Sequence, residues 1–220
     1  SALTYYLGFK VNSDEYKVMG LAPYGEPRYA GQMLDNLIDL RDDGSFHLDM
    51  RYFDFASGLK MTGRKFDALF GRRVRKDGEP LEQFHKDMAA SIQRVTEEAM
   101  LRIARRLHKE TGMKNLCLAG GVALNCVANG RILRETPFER LWIQPAAGDA
   151  GGALGAAAYV WHGLLGNPRG TGMQSAFLGP EYPAGEIEAY LKPLGVPYRK
   201  LEGPALSQEV AGLIADQDVV

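Results

Sequence analysis

The sequence predicts an α/β protein built on a parallel strand–helix–strand–helix unit. Two short apolar runs, residues 115–119 and 140–145, have the length and composition of buried strands. Each is followed by a glycine-rich turn and then by a segment with helical spacing, residues 122–134 and 153–165. Short connections between alternating strands and helices indicate a parallel pair joined by a right-handed crossover.

The composition is that of a soluble globular protein. Of the 220 residues, 45% are hydrophobic and 24% are charged, and the net charge of -1 provides no field that would attract nucleic acid or an anionic membrane. Residues 1–10 do not have the pattern of a signal peptide. The apolar run 150–165 is too short to span a bilayer comfortably, so we expect a buried helix there. Cys117 is expected to be a buried reduced thiol, and a cytoplasmic location follows.

The elements before residue 58 are predicted from alternation, helical spacing, capping side chains, and Gly or Pro turns. In order they are a strand at 3–9, a helix at 15–21, a turn at 22–27, a helix at 29–40, a hairpin turn at 42–44 between residues 37–40 and a strand-like run at 46–52.

Residues 58–79 are predicted to be irregular and are rich in basic side chains. Such a segment could bind phosphate or RNA, but three acidic residues dilute it and no repeated aromatic residue interleaves it, so a solvated loop is the favoured interpretation. The basic residues are Arg64, Lys65, Arg72, Arg73, Arg75 and Lys76.

Residues 81–111 are predicted to form a long scaffold helix, which Gly112 ends as a C-cap. Apolar residues recur along it at spacings of three and four, which is the period of one helix face. They are Met88, Ile92, Val95, Ala99, Leu101, Ile103 and Leu107.

Three segments are expected along the chain: a first domain at residues 1–166, a linker at 167–175 that is rich in Pro, Arg and Gly, and the beginning of a second domain at 176–220. The last segment is predicted to contain a helix at 183–191, a strand at 198–201, a helix from 209 onwards and a strand at 218–220. Because the chain opens and closes within predicted strands, we expect it to be a piece of a longer protein.

The two glycine-rich turns are expected to meet at one place. The carboxyl ends of parallel strands face a common crevice, and each turn opens a helix whose free backbone N–H groups favour an anion. Gly120, Gly121, Gly151 and Gly152 would let a ligand approach the backbone closely. We therefore predict a site for a phosphorylated ligand, although the glycines could merely permit tight turns and close packing. Neither turn is a Walker A or a dinucleotide fingerprint.

Two polar side chains accompany these turns. Asn125 lies one helical turn past Gly121, where its amide could bond a ribose hydroxyl or an adenine edge, or could simply cap the following helix. Asp149 lies at the mouth of a strand among glycines, where a carboxylate is a ready ligand for a hard metal ion or an N-cap of the next helix.

Four motifs resemble the O-carbamoyltransferases of nodulation-factor and antibiotic biosynthesis. They follow one another in the family's order and cover nearly all of the chain through about residue 165. They are residues 15–25 (Glu-Tyr-Lys-Val-Met-Gly-Leu-Ala-Pro-Tyr-Gly), 84–93 (Phe-His-Lys-Asp-Met-Ala-Ala-Ser-Ile-Gln), 118–133 (Leu-Ala-Gly-Gly-Val-Ala-Leu-Asn-Cys-Val-Ala-Asn-Gly-Arg-Ile-Leu) and 144–153 (Gln-Pro-Ala-Ala-Gly-Asp-Ala-Gly-Gly-Ala).

The resemblance implies a fold and a chemistry. The fold would be the second half of an actin/hexokinase-like (ribonuclease H-like) ATPase domain, related to the tRNA threonylcarbamoyl-adenosine enzymes and followed by a carbamoyl-adenylate-forming domain. The partners would be ATP, carbamoyl phosphate, a hydroxylated small molecule and a divalent metal, which is iron in the most similar members. The carbamoyl group would pass through carbamoyl-adenylate to the hydroxyl.

The resemblance also implies roles for individual residues, while the catalytic groups stay unassigned. Lys17 is a possible phosphate contact, or a surface lysine paired with Glu15 or Asp14. The nucleotide would be held by Gly20, Gly120, Gly121 and Asn125, and the metal by Asp149.

The sequence departs from the family at its metal-binding histidine pair, H-x-x-x-H. None of His47, His85, His108 and His162 has that spacing, so each is expected at the surface or in packing and this piece alone is expected to be inactive. Two alternatives stay open: a tRNA threonylcarbamoyl-transferring enzyme, which the near-neutral charge disfavours, and a non-catalytic adenine-nucleotide-binding module.

Overall fold

The computed structural model describes residues 1–216, in which helices accompany two small two-stranded sheets. The α/β class is therefore confirmed. The chain divides into two compact units, Ser1–Gly170 and Thr171–Val220, and the division falls inside the segment 167–175 that the sequence predicts as a linker. The assignment of the second unit to an adenylate-forming domain stays a prediction.

The first unit contains seven α-helices and four strands within the described residues. The helices are α1 Ala2–Tyr6, α2 Glu15–Leu21, α3 Ala30–Asn36, α4 Arg64–Phe70, α5 Gln83–Thr111, α6 Cys126–Glu135 and α7 Gly151–Ala158. The strands are β1 Ile38–Leu40, β2 Phe46–Leu48, β3 Asn115–Leu118 and β4 Arg140–Ile143. Single 3₁₀ turns occur at Ala22–Tyr24, Met50–Tyr52 and Gly121–Leu124.

Helix α5 is the spine of this unit, and the long helix predicted at 81–111 is confirmed. The Glu82 side chain accepts from the backbone of His85, whose ring accepts from the Glu82 backbone, so a capping box starts the helix. Gly112 ends the helix in the left-handed conformation at φ 64°, as a C-cap glycine does. The first half of α5 is buried in a core with α1 to α4, and its second half is buried in a separate core with β3 and α6.

The strand predicted at residues 3–9 is wrong, because α1 occupies the segment up to Tyr6 and a turn follows. Leu3, Tyr6 and Leu7 are buried, which is the i, i+3, i+4 spacing of one helix face. Tyr6 lies among the rings of Phe66, Phe70 and Phe84, with centroids 4.8 to 6.4 Å away. Packing against this aromatic cluster therefore overrides the weak alternation.

Three further predictions before α5 need correction. The helix predicted at 29–40 ends at Asn36, and β1 continues from Ile38 into the predicted hairpin, where Ile38 pairs with Leu48. The strand predicted at 46–52 stops at Leu48 and gives way to a 3₁₀ turn. The segment 58–79 is not wholly irregular, since α4 forms there and buries two phenylalanines.

The parallel pair is confirmed. Strands β3 and β4 pair in parallel from Asn115 opposite Arg140 to Leu118 opposite Ile143. Helix α6 forms the connection between them and buries Ala128 and Ile132 against Leu116 and α5. It begins at Cys126 instead of residue 122, because the 3₁₀ turn intervenes.

The predicted burial of the last helix of this unit is wrong. Helix α7 and the π-helical turn Tyr159–Leu164 that follows it contain no buried residue. Cys117, which was expected to be buried, is exposed as well. Within residues 1–216, no helix combines the length and the apolar character that a membrane crossing requires.

The second unit contains α8 Ala184–Leu194 and α9 Gly203–Ala215 within its described part. Helices are confirmed in both predicted places with different bounds: α8 ends three residues later than predicted, and α9 begins six residues earlier and ends at Ala215. The strand predicted at 198–201 is wrong, since these residues form no regular structure. The strand predicted at 218–220 lies outside the described residues.

Candidate functional site

The two glycine-rich turns lie against each other. The backbone N–H of Gly120 donates to the carbonyl of Ala147 at 2.8 Å, and a methyl group added at Gly148 would lie 4.0 Å from the Cα atom of Gly121. This contact follows from the parallel register, since β3 and β4 end beside each other at Leu118 and Ile143. The predicted convergence of the turns is confirmed as geometry.

A cleft of about 610 Å³ opens beside the turns. Gly121, Asn125 and Asp149 contribute to its lining from the turns, Gln93 from α5, and Met19 from α2. Three of the predicted site residues are therefore brought together in one cavity. The volume lies within the range of about 300–1,000 Å³ that is typical of small-molecule and cofactor sites.

The other predicted residues lie at or beyond the edge of this cleft. Gly120 stands directly before the lining residue Gly121, and Gly20 and Lys17 lie on α2 without lining the cavity. The Lys17 ammonium is 3.0 Å from the Asp14 carboxylate, and this hydrogen bond raises the pKa of Lys17. The structure thus shows the surface ion pair that was the alternative for Lys17.

Backbone conformation explains the first glycine of the turn. Gly120 has φ +93°, a conformation that residues with a side chain rarely adopt. The φ of Gly121 is ordinary, and a methyl group there would meet open space. Gly120 therefore shapes the turn, and Gly121 leaves room beside it.

Several backbone donors around the cleft have no partner. Within the described residues, no hydrogen bond of the turns and loops engages the N–H groups of Gly121, Val122, Gly148 and Asp149, all four of which line the cleft. Unpaired N–H groups gathered at one cavity are donors for an anionic or oxygen-rich ligand.

Asn125 is the N-cap of α6. Its Oδ1 atom accepts from the N–H of Ala128 at 3.1 Å, so the capping interpretation is confirmed. The same amide makes a reciprocal pair with Gln93: Asn125 Nδ2 donates to Gln93 Oε1 at 2.9 Å, and Gln93 Nε2 donates to Asn125 Oδ1 at 3.1 Å. A ligand role for Asn125 stays a prediction.

Asp149 does not cap the following helix. The N-cap of α7 is Ala150 and has no side-chain capping bond, and the Asp149 side chain is exposed in the cleft. Within residues 1–216 there is no group of three His, Cys, Asp or Glu side chains that could hold a metal ion. The described residues thus provide carboxylate donors at the cleft but not a complete ligand set.

The side-chain charge of the cleft is negative. Glu15 and Asp149 line it, and no lysine or arginine of the described chain does. Burial acts to raise the pKa of Glu15, but hydrogen bonds from the backbone of Asn12 and from the Ser1 hydroxyl hold it below its usual value. An anionic ligand would therefore depend on backbone amides and on positive charge brought from elsewhere.

Three arginines of the basic segment are engaged by other groups of the protein. Arg73 pairs with Glu79 at 2.6 Å and Arg72 with Glu82 at 2.6 Å. Arg75 is buried and donates to the carbonyl of Leu7 at 2.6 Å. These three arginines line a second cavity of about 440 Å³ together with Glu79 and Glu82. Half of the six basic residues of the segment are therefore already bonded within the protein.

All four histidines lie at the surface or in packing, as expected: His47 is exposed on β2, and the other three have structural partners. His85 caps α5, and burial lowers its pKa. The His108 ring meets Phe138 edge-on at 5.4 Å, and His162 Nδ1 lies 3.0 Å from the carbonyl oxygen of Asn167.

Gln93 is a cleft residue that the sequence analysis did not assign to the site. It is the last residue of the motif 84–93, and its side chain is half-buried on α5. That placement was the available signal, because a half-buried amide in a helix usually has a specific partner.

Comparison with known proteins gives the class of this chain. A family model described as carbamoyltransferase N-terminus matches residues 1–158. The chain belongs to the carbamoyltransferase family, and the resemblance of its four motifs is confirmed.

Three relatives illustrate the match. The chain is 55% identical over 223 residues to an uncharacterized protein, sll1178, of Synechocystis, covering 100% of this chain and 34% of the relative. It is 38% identical over 176 residues to nodulation protein NolNO of Sinorhizobium fredii, covering 80% and 24%. It is 43% identical over 150 residues to nodulation protein NolO of Bradyrhizobium diazoefficiens, covering 67% and 25%. The chain spans about a third or less of the length of these relatives.

Proposed function

We propose that this chain forms part of the nucleotide site of an ATP-dependent O-carbamoyltransferase. The enzyme would use carbamoyl phosphate and ATP to make carbamoyl-adenylate and would transfer the carbamoyl group to a hydroxyl of a small molecule. The proposed fold is the second half of an actin/hexokinase-like ATPase domain. The observation that carries the proposal is the meeting of the two glycine-rich turns and Asp149 at one cleft, in a chain of this family.

The cleft fits a nucleotide in size and in its hydrogen-bond donors. Its volume of about 610 Å³ can hold a cofactor-sized ligand. The unpartnered N–H groups of the two turns would bind phosphate oxygens without a Walker lysine. In the transfer step, the acceptor hydroxyl oxygen bonds to the carbamoyl carbon and its proton passes to solvent. The bond from that carbon to the phosphate oxygen breaks, and AMP departs with the negative charge. Backbone donors facing this phosphate would stabilise the charge.

The proposed metal fits this chain only in part. A divalent ion would offset the negative charge of the cleft and, when bound, would polarise the carbamoyl carbonyl as a Lewis acid. Asp149 would be one of its ligands, and iron is proposed from the family resemblance alone. Because a single carboxylate is not a metal site, no step is derived through the ion.

The direct test uses the full-length protein that contains this chain. We expect pyrophosphate release from ATP that depends on carbamoyl phosphate, and AMP release that depends on a hydroxylated acceptor and matches the carbamate formed. If neither pyrophosphate nor AMP is released, the proposal is contradicted. Binding of ATP with no turnover in the presence of any acceptor would indicate the non-catalytic module instead.

A pair of variants tests the role of Asp149. Asp149→Asn keeps the size of the side chain but weakens its binding to a hard metal ion, so we expect at least about a tenfold loss of AMP release. Asp35→Asn is the matched control, since Asp35 is an exposed carboxylate on α3 outside the cleft. Equal activity of the two variants would remove Asp149 from the site.

A further inference from the structure

A continuous chain of polar side chains runs from the cleft into the interface between α5 and α6. Asn125 and Gln93 form the reciprocal amide pair, and Gln93 Nε2 also donates to Glu97 Oε1 at 2.8 Å. Arg131 on α6 then donates to Glu97 Oε2 at 2.7 Å. Asn125 and Gln93 are half-buried and line the cleft, whereas Glu97 is buried behind them.

The two ends of this chain determine the orientation of both amides. At one end, the backbone N–H of Ala128 can only donate, so the oxygen of Asn125 must face it. At the other end, the Glu97 carboxylate paired with Arg131 can only accept, so the NH₂ group of Gln93 must face it. A flip of either amide would set donor against donor or acceptor against acceptor.

Counting hydrogen bonds shows what is left for a ligand. Asn125 Oδ1 accepts from Ala128 and from Gln93, so both of its lone pairs are used. Both hydrogens of Gln93 Nε2 are used as well, by Asn125 and Glu97. Asn125 Nδ2 donates one hydrogen to Gln93, and its second hydrogen has no partner within the described residues. Asn125 can therefore offer a ligand a donor and no acceptor.

We propose that Gln93 and Glu97 are positioning residues that hold Asn125 as a one-directional hydrogen-bond donor in the cleft. The ligand atom that meets Asn125 must then be an acceptor: a phosphate oxygen, a ribose oxygen or an unprotonated ring nitrogen. This inference rests on the proposed nucleotide function. It also revises the expectation for Asn125, because a ribose hydroxyl cannot donate to an oxygen whose lone pairs are already used.

Helix capping alone does not account for the arrangement. An N-cap needs only an oxygen facing the N–H groups of the first turn, and serine or aspartate provides one equally well. The pairing with Gln93 engages the amide nitrogen of Asn125, which capping does not use. Variants at residue 125 can therefore separate the cap from the donor.

The experiment measures the dissociation constant of ATP for the full-length protein by calorimetry, alongside the free energy of unfolding. Asn125→Asp and Asn125→Ser both keep the cap but present no side-chain N–H, so we expect ATP to bind about tenfold more weakly in both. Asn125→Ser should lose little stability, whereas Asn125→Asp also sets an acceptor against Gln93 Oε1 and should lose more. Asn125→Asp also adds negative charge, so this variant should bind ATP less tightly than Asn125→Ser does. Unchanged ATP affinity in both variants would overturn the donor role.

Variants of Gln93 test the positioning role. Gln93→Leu frees the Asn125 amide and should weaken ATP binding by about three- to tenfold. Gln93→Glu is isosteric but puts an oxygen against Asn125 Oδ1 and against Glu97. The loss of ATP affinity in this variant should therefore exceed the loss in Gln93→Leu. Gln32→Leu is the matched control: Gln32 is half-buried on α3, bonds to the Leu69 carbonyl and lies outside the cleft, so ATP affinity should not change.

A double mutant distinguishes positioning from an independent contact. If Gln93 acts through Asn125, the Gln93→Leu/Asn125→Ser protein should bind ATP within about twofold of Asn125→Ser. If the losses of ATP affinity in the two single variants multiply in the double variant, the proposal is overturned. Wild-type ATP affinity in Gln93→Leu would overturn it as well. In either case the nucleotide function would still stand. A wild-type protein that binds no ATP would remove the proposed function and this inference together.

Discussion

The substitution Gly25→Ala tests the close contact between the motif 15–25 and the spine helix. A methyl group on Gly25 would lie 2.2 Å from the carbonyl carbon and oxygen of Lys86 and 2.5 Å from the amide nitrogen of Asp87. Ordinary carbon contacts are about 3.5–4.0 Å, so the loop and α5 must separate by roughly 1 Å. The neighbouring atoms are helix backbone, which cannot turn aside as a flexible side chain can.

The separation would also disturb a hydrogen bond that holds the same loop. The amide of Glu26 donates to the buried carboxylate of Asp87 at 2.9 Å. Overpacking costs about 1–3 kcal/mol, and weakening a bond to a charged group adds to it, so we expect a loss of about 3 kcal/mol in the free energy of unfolding. For a unit of this size, the midpoint of thermal unfolding should fall by roughly 6–12 °C.

The assay is urea and thermal denaturation followed by circular dichroism, with Gly31→Ala as the matched control. Gly31 lies in α3 with an ordinary φ and no atom within 4 Å of an added methyl group. Alanine there should stabilise the helix by up to about 0.5–1 kcal/mol. If the two variants unfold within about 0.5 kcal/mol of each other, the close approach of the loop to α5 does not exist.

Two further predictions concern the first turn of the cleft and the acid stability of the fold. Gly120→Ala should lower the free energy of unfolding by about 1–2 kcal/mol because of the positive φ, whereas Gly121→Ala should leave it nearly unchanged in denaturation experiments; equal effects would contradict the turn geometry. Hydrogen bonds from Arg73 lower the pKa of Glu79 from 4.5 to about 2, so the pKa of Glu79 in the folded protein lies below its value in the unfolded chain. The stabilisation of the fold by ionised Glu79 is therefore present above about pH 4.5 and is lost as the pH falls through about 2. Glu79→Gln should therefore be less stable than the wild type near neutral pH and lose less stability between pH 4.5 and 2, as measured by urea denaturation across that range; parallel curves would refute the assignment.

Features that depend on neighbours in the chain were predictable. The apolar spacing predicted α5, and Gly112 was correctly expected to end it. The order of strand, turn and helix predicted the parallel pair and the meeting of its turns, because chirality and short connections leave few other topologies. The four motifs predicted the carbamoyltransferase family for the same reason, since they are patterns of sequence.

Features that depend on packing were not predictable in the same way. The weak alternation of residues 3–9 predicted a strand, but Tyr6 enters an aromatic cluster whose other members lie more than 50 residues away. Charged residues around α4 obscured the i, i+4 pair Phe66 and Phe70, which anchors that helix in the core. Apolar composition suggested that α7 is buried, yet burial depends on what lies opposite a helix and not on the helix alone.

In the candidate site, too, some residues were predictable from their neighbours in the chain and others depended on packing. Gly121, Asn125 and Asp149 could be named from the sequence, because each has a characteristic place relative to a strand end. Gln93 could not, since its partner Asn125 is 32 residues away and an amide in a helix does not reveal what it will bond. The tertiary structure also decided that Lys17 and Gly20 stand outside the cleft lining.

The amino-acid sequence by itself determined the family, the long helix, and the two glycine-rich turns at the ends of parallel strands, because backbone preference and periodicity are local properties. Only the tertiary structure decided which side chains line the cleft, which charges are already paired, and which single side-chain N–H of Asn125 has no partner within the described residues. These depend on the distance and direction between atoms of residues far apart in the chain, and only the packing of α5 against its neighbours establishes them.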